Sequence, residues 1–138
     1  MARGGAARDF YADENWQAAV TRWMDQAVVI MLIASGTTGL VWELKTVIAR
    51  GHVNKLVVSL PGGSGQQDRW ARVCACFEGT DWHRSLSRAD VSDTLAACFL
   101  TEGQTVLIRS SEWSRLASEA AIDVAIYSIF CHPRGCGR

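Results

Sequence analysis

The sequence predicts an α/β domain in three layers: a mostly parallel sheet of about three to four strands, flanked by helices. Three observations predict it. Residues 28–33 and 55–60 are short, continuous apolar runs, the pattern of strands covered on both faces. Segments with apolar residues every three or four positions lie before, between and after them. Strand and helix signals therefore alternate along the chain, which favours an α/β layer fold with helical crossovers.

Each element has its own warrant. Trp16, Ala19, Val20, Trp23, Met24 and Ala27 recur at helical spacing and Asp13 is a suitable N-cap, so residues 14–26 read as an amphipathic helix. The run 28–33 reads as a central strand. Leu40, Val41, Leu44, Val47 and Ile48 make one stripe of a second helix over 40–50, with Gly51 as its stop. KLVVSL, residues 55–60, is the second strand, broken by Pro61-Gly62-Gly63-Ser64-Gly65. Trp70, Val73, Cys74 and Phe77 restore helical spacing over 66–77. Beyond that point the pattern is less regular: a loop over 78–88, a short helix over 91–100, a strand over 105–108 and a long helix over 112–130. That last helix carries Trp113, Leu116, Ala120 and Val124 on one side and Ile122, Ile126 and Ile129 on another, so it expects cover on two sides. The expected organisation is one domain over 1–130, with 131–138 as a flexible tail.

Composition narrows the function classes. A chain of 138 residues is one domain's worth, and 49% hydrophobic residues with 20% charged ones is a globular composition. Fourteen basic residues balance fourteen acidic ones, so no net field draws the chain to nucleic acid or to an anionic membrane. The longest apolar run falls far short of the roughly 20 residues of a spanning helix. The first sixteen residues lack the apolar core of a secretory signal, which makes the cytoplasm the default compartment. Of the five cysteines, Cys74, Cys76 and Cys98 fall in apolar segments that read as helical, and disulfides are not expected. Cys131, His132 and Cys136 supply two thiolates and one imidazole, one ligand short of a structural zinc site, so no metal is expected.

The densest information lies in residues 27–44, where an apolar strand runs into the loop Ser35-Gly36-Thr37-Thr38-Gly39 and a helix bearing Trp42 and Glu43. In parallel α/β sheets ligands bind at the strands' carboxyl ends. The helix, apolar strand, SGTTGLVWEL loop-helix and KLVVSLP strand over 16–61 resemble the C-terminal half of a bacterial TIR-like domain, a flavodoxin-like α/β fold. The layout extends over roughly residues 6–130, with Trp42-Glu43 as its motif, and it implies that the N-terminal strands of the fold are missing here. The resemblance implies cleavage of the nicotinamide–ribose bond of NAD, with NAD as substrate rather than cofactor and Glu43 at the matching catalytic position. Nicotinamide leaves as a neutral base from an already cationic ring, so the site has only to stabilise positive charge growing on the ribose. Glu43 would do so as carboxylates do in glycoside hydrolysis. Trp42 would form an aromatic wall, and Ser35, Gly36, Thr37 and Thr38 would offer hydroxyls and N–H groups to phosphate at a helix N-terminus.

Plainer readings stand beside these. A glutamate in a first helical turn is favoured by the helix dipole whatever its function. Trp42 points nearly opposite the Leu44–Ile48 stripe, and packing on another element explains it. Pro61 to Gly65 reads as an ordinary turn, His52, His83 and His132 as surface residues, and Asp81-Trp82-His83 as cover for the sheet edge. Two other functions remain open. One is a TIR-like interaction module that assembles through its C-terminal helix and performs no chemistry; the other is deoxyribosyl transfer between nucleobases by a related glutamate site.

Overall fold

The computed structural model describes residues 13–35, 38–62 and 65–131. Among these, five α-helices and four strands alternate: α1 (Asp13–Gln26), β1 (Ile30–Ile33), α2 (Thr38–Ala49), β2 (Leu56–Ser59), α3 (Gln66–Cys76), α4 (His83–Arg88), β3 (Thr94–Phe99), β4 (Thr105–Arg109) and α5 (Arg115–Cys131). The strands form one sheet in the order β1-β2-β3-β4. The fold is α/β, as the alternating signals predict, and the sheet is mixed. β1 and β2 run parallel, with Ile30 opposite Leu56 and Ile33 opposite Ser59. β3 is antiparallel to β2, and β4 to β3. Parallel, flavodoxin-like character is confined to the first pair.

Two apolar clusters occupy the two faces of the sheet. Alternation along β1 and β2 turns Ile30, Leu32, Leu56 and Val58 to one face, where they meet Met24, Leu44, Val47, Trp70, Val73 and Leu86 from α1 to α4. Val57, Leu95, Ala96, Cys98 and Leu100 meet Ala121, Ala125 and Ile129 of α5 on the other. The expected three layers are present, with four helices on one side and α5 alone on the second.

The main departure lies in residues 91–100, expected as a helix. They hold β3, buried at all six positions between β2 and β4. A strand covered on both faces has no polar alternation, and TLAACF is rich in alanine, the best helix former, so periodicity alone cannot separate the two states. Cys98 accordingly lies in a strand, and burial pushes its thiol up to about 11. The small residues serve packing. Ala96 shares a cluster with Ala121 and Ala125, so α5 lies chiefly over β3. Residues 83–88, expected as loop, form the short α4, held by buried Leu86. Trp82 lies at the end of the inner strand β3 rather than along a sheet edge, its indole N–H donating to the Leu100 carbonyl at 2.8 Å.

Tight turns here depend on glycine at one point in particular. Gly103 has φ +76°, and a Cβ there would stand 2.6 Å from the Asp81 carbonyl oxygen. Gly103→Ala is expected to cost about 1–3 kcal/mol through backbone strain and this clash. Gly79→Ala is its control, since Gly79 has φ +87° with nothing within 4 Å and suffers the strain alone. Urea unfolding of both variants separates the two contributions.

An exposed polar cluster ties α1 to the start of β2. Asp25 accepts from Arg50 Nη2 at 2.5 Å and lies 2.6 Å from His52 Nε2, while Lys55 Nζ donates to the Ala27 carbonyl at 2.7 Å. The Arg50 guanidinium, and after it His52, hold the Asp25 carboxyl well below the usual carboxylate range. A depressed folded-state value adds stability above the unfolded carboxyl's value of about 3.9, lost as pH falls below that point toward the folded value. The wild type should therefore melt above Asp25→Asn near neutral pH, and the gap should close on acidification below about pH 4. Thermal denaturation across that range checks it.

Candidate functional site

The parallel pair brings two loops and two helix starts to one place. Because Ile33 pairs with Ser59, and Ala34 N–H donates to the Ser59 carbonyl at 2.8 Å, the carboxyl ends of β1 and β2 lie side by side. β1 leads through Ser35 to α2, which begins at Thr38; β2 leads through Pro61 and Gly62 to α3, which begins at Gln66 after the left-handed Gly65. Both helices thus start at the same edge of the sheet, with their positive dipole ends there.

The side chains around this crevice are fixed by specific contacts. Gln66 Nε2 donates to the Thr94 carbonyl at 2.7 Å, anchoring the start of α3 to β3. The Arg69 guanidinium lies beside Gly65, its Nη1 3.2 Å from where a Cβ would stand. Trp113 lies against Gly62 so closely that a Cβ there would meet its Cδ1 at 2.6 Å, yet the indole is 58% exposed. It precedes α5, in the connection from β4, rather than on the helix face where its spacing had suggested.

Of the residues singled out by the sequence, Ser35 is exposed at the end of β1. Gly36 and Thr37 lie outside the described residues. Thr38 opens α2. Trp42 is half-buried and packs edge-on against Trp16 of α1, centroids 5.2 Å apart at 64°, so it joins two helices as the packing reading expects. Glu43 is half-buried, flanking the stripe of Leu40, Leu44 and Val47. α2 starts before residue 40, so its first turn holds no acidic residue and Glu43 stands in the second, about 7.5 Å along the axis from Thr38. Dipole effects fade within the first turn, so the dipole does not account for this carboxylate.

Sequence reading missed Trp113, Gln66 and Arg69 as neighbours of this edge. The available signal was Gly62: a glycine-bearing turn after a buried strand admits a close aromatic.

The other polar groups are structural. His52 belongs to the Asp25 cluster, and His83 Nε2 lies 3.4 Å from Ser87 Oγ within α4. His132 and Cys136 lie outside the described residues, among which no cluster of potential metal ligands occurs. Cys74, Cys76, Cys98 and Cys131 carry free thiols. At the far end of the sheet an open cleft of about 700 Å³ is lined by Asp81, Glu102, Arg84 and Arg88. Its charges offset one another, and its two hydroxyls are engaged, Thr80 with the Phe77 carbonyl and Ser85 with the Gly103 carbonyl and Thr105. No described helix is long and apolar enough to cross a membrane. Comparison with protein-family models, curated proteins and solved structures finds no match, so this crevice and its neighbours carry the functional argument.

Proposed function

We propose that the chain binds a phosphorylated ribonucleoside at the carboxyl ends of β1 and β2, and that Glu43 assists cleavage of its nicotinamide–ribose bond when the nucleotide is NAD. The supporting observation is the convergence of two helix N-termini on neighbouring parallel strands, the arrangement in which backbone N–H groups receive phosphate. Arg69 beside Gly65 adds positive charge, and the exposed Trp113 indole offers the flat apolar surface that the TIR-like resemblance assigned to Trp42. Glu43 keeps its proposed electrostatic role at the ribose.

Calorimetric titration with ADP-ribose tests the binding step. Binding is expected, weakened about tenfold in Trp113→Ala by loss of roughly 1–1.5 kcal/mol of stacking. Absence of binding to the well-folded chain would sink the proposal, and turnover of a deoxynucleoside in place of NAD would redirect it to deoxyribosyl transfer.

A second reading, an assembly module without chemistry, draws on the outer side of α5. Leu116 is 75% and Tyr127 68% exposed there, with Val124 on the same flank. A mass that depends on concentration and falls in Leu116→Glu, without nucleotide binding, would favour it.

A further inference from the structure

We propose that the outer edge of β1 is a contact between two copies of this chain, paired antiparallel so that two four-stranded sheets become one. β1 ends the sheet, and among the described residues no strand pairs with its outer side. Edge strands are normally guarded by charge, proline or a bulge, because their free N–H and C=O groups recruit other strands. Residues 27–35, AVVIMLIAS, contain none of these. The opposite edge is different: β4 ends at Arg109, whose guanidinium donates to the Asp90 carbonyl.

The side chains flanking this edge are apolar and uncovered. Ile30 and Leu32 are buried, whereas Met31 and Ile33 point to the α5 face and remain 47% and 52% exposed. At the start of β1, Val28 and Phe130 line one pocket of about 360 Å³. Val28, 69% exposed, extends this uncovered apolar surface along the same segment.

Symmetry selects the second copy as occupant. A two-fold contact sets a surface against itself, so a charged edge would repel its own copy. Residues 27–35 carry no charge, and the chain's formal net charge is zero. A two-fold axis perpendicular to the sheet keeps each face on its own side, so only registers pairing residues of like orientation are allowed. Centring it on Leu32 sets Met31 opposite Ile33 of the second copy, in cross-strand contact on the uncovered face.

Sedimentation at micromolar concentration tests the proposal. The chain is expected at twice 15.1 kDa, dissociating to 15.1 kDa on dilution. Ile33→Lys alters a half-exposed side chain, so its circular dichroism should match the wild type while the dimer weakens at least about tenfold, each pair burying two unpaired charges. Mixed Met31→Cys and Ile33→Cys chains, oxidised by dissolved oxygen with a copper catalyst, should form a disulfide between these two positions, located by mass spectrometry. A wild type of 15.1 kDa at every concentration would overturn the proposal, including the case where the chain's own residues before 13 cover the edge. So would a dimer lost in Leu116→Glu but retained in Ile33→Lys, which would place the contact on α5.

Discussion

Replacing Phe99 by alanine is expected to remove about 3–5 kcal/mol of stability, a fifth or more of the roughly 5–15 kcal/mol that domains commonly have. Phe99 ends the central strand β3 and Phe77 closes α3; both are fully buried, and their rings stack at 4.9 Å and 24°. This contact fastens the helical layer to the antiparallel part of the sheet. Truncation leaves a cavity that the surrounding β2, α3 and α4 cannot fill without breaking the ladder. Phe99→Leu keeps most of the volume and should cost under about 1.5 kcal/mol. Urea denaturation of Phe77→Ala, Phe99→Ala and the double variant should show coupling of about 0.5–1.5 kcal/mol, the ring–ring contribution beyond area. Additive losses would mean that the rings merely fill space.

How far the sequence revealed this fold depended on the patterns available to each element. α1, β1, α2, β2 and α3 come from patterns that admit few alternatives: amphipathic stripes of usable length, and β-branched apolar runs four to six residues long. β3 failed that test because its burial on both faces erases alternation, and its alanines exist for α5's close approach, a contact with residues some 25 positions later. The antiparallel turn of the sheet was equally illegible. It depends on α4 being a short helix that returns the chain from the far end to the crevice end, where β3 starts beside Gln66, and HRSLSR offers only Leu86 as an apolar anchor. At the candidate site, the strand–loop–helix and Glu43 were legible because they are contiguous. Trp113 and Gly62, separated by fifty-one positions, meet only through the β3–β4 hairpin that the sequence did not disclose.

Glu43→Gln should lower nicotinamide release from NAD by about 10²–10³-fold, the scale of removing one preorganised electrostatic group, or roughly 3–4 kcal/mol of barrier. Glutamine preserves size and one hydrogen-bonding oxygen, so the helix and the half-buried flank of α2 should be unchanged by circular dichroism and melting. The charge difference matters only as the ribose becomes cationic, so kcat should fall while KM stays within a few-fold. A structural role predicts the opposite pattern: altered melting, with any residual activity retaining its kcat per folded molecule. Trp42→Phe supplies the matching control. Its partner is Trp16, so loss of the indole should loosen α1 against α2 and lower the melting temperature while leaving kcat unchanged. Wild-type turnover by Glu43→Gln would remove the carboxylate from the reaction, and a crevice binding ADP-ribose without cleaving NAD would then stand as a nucleotide-binding site alone.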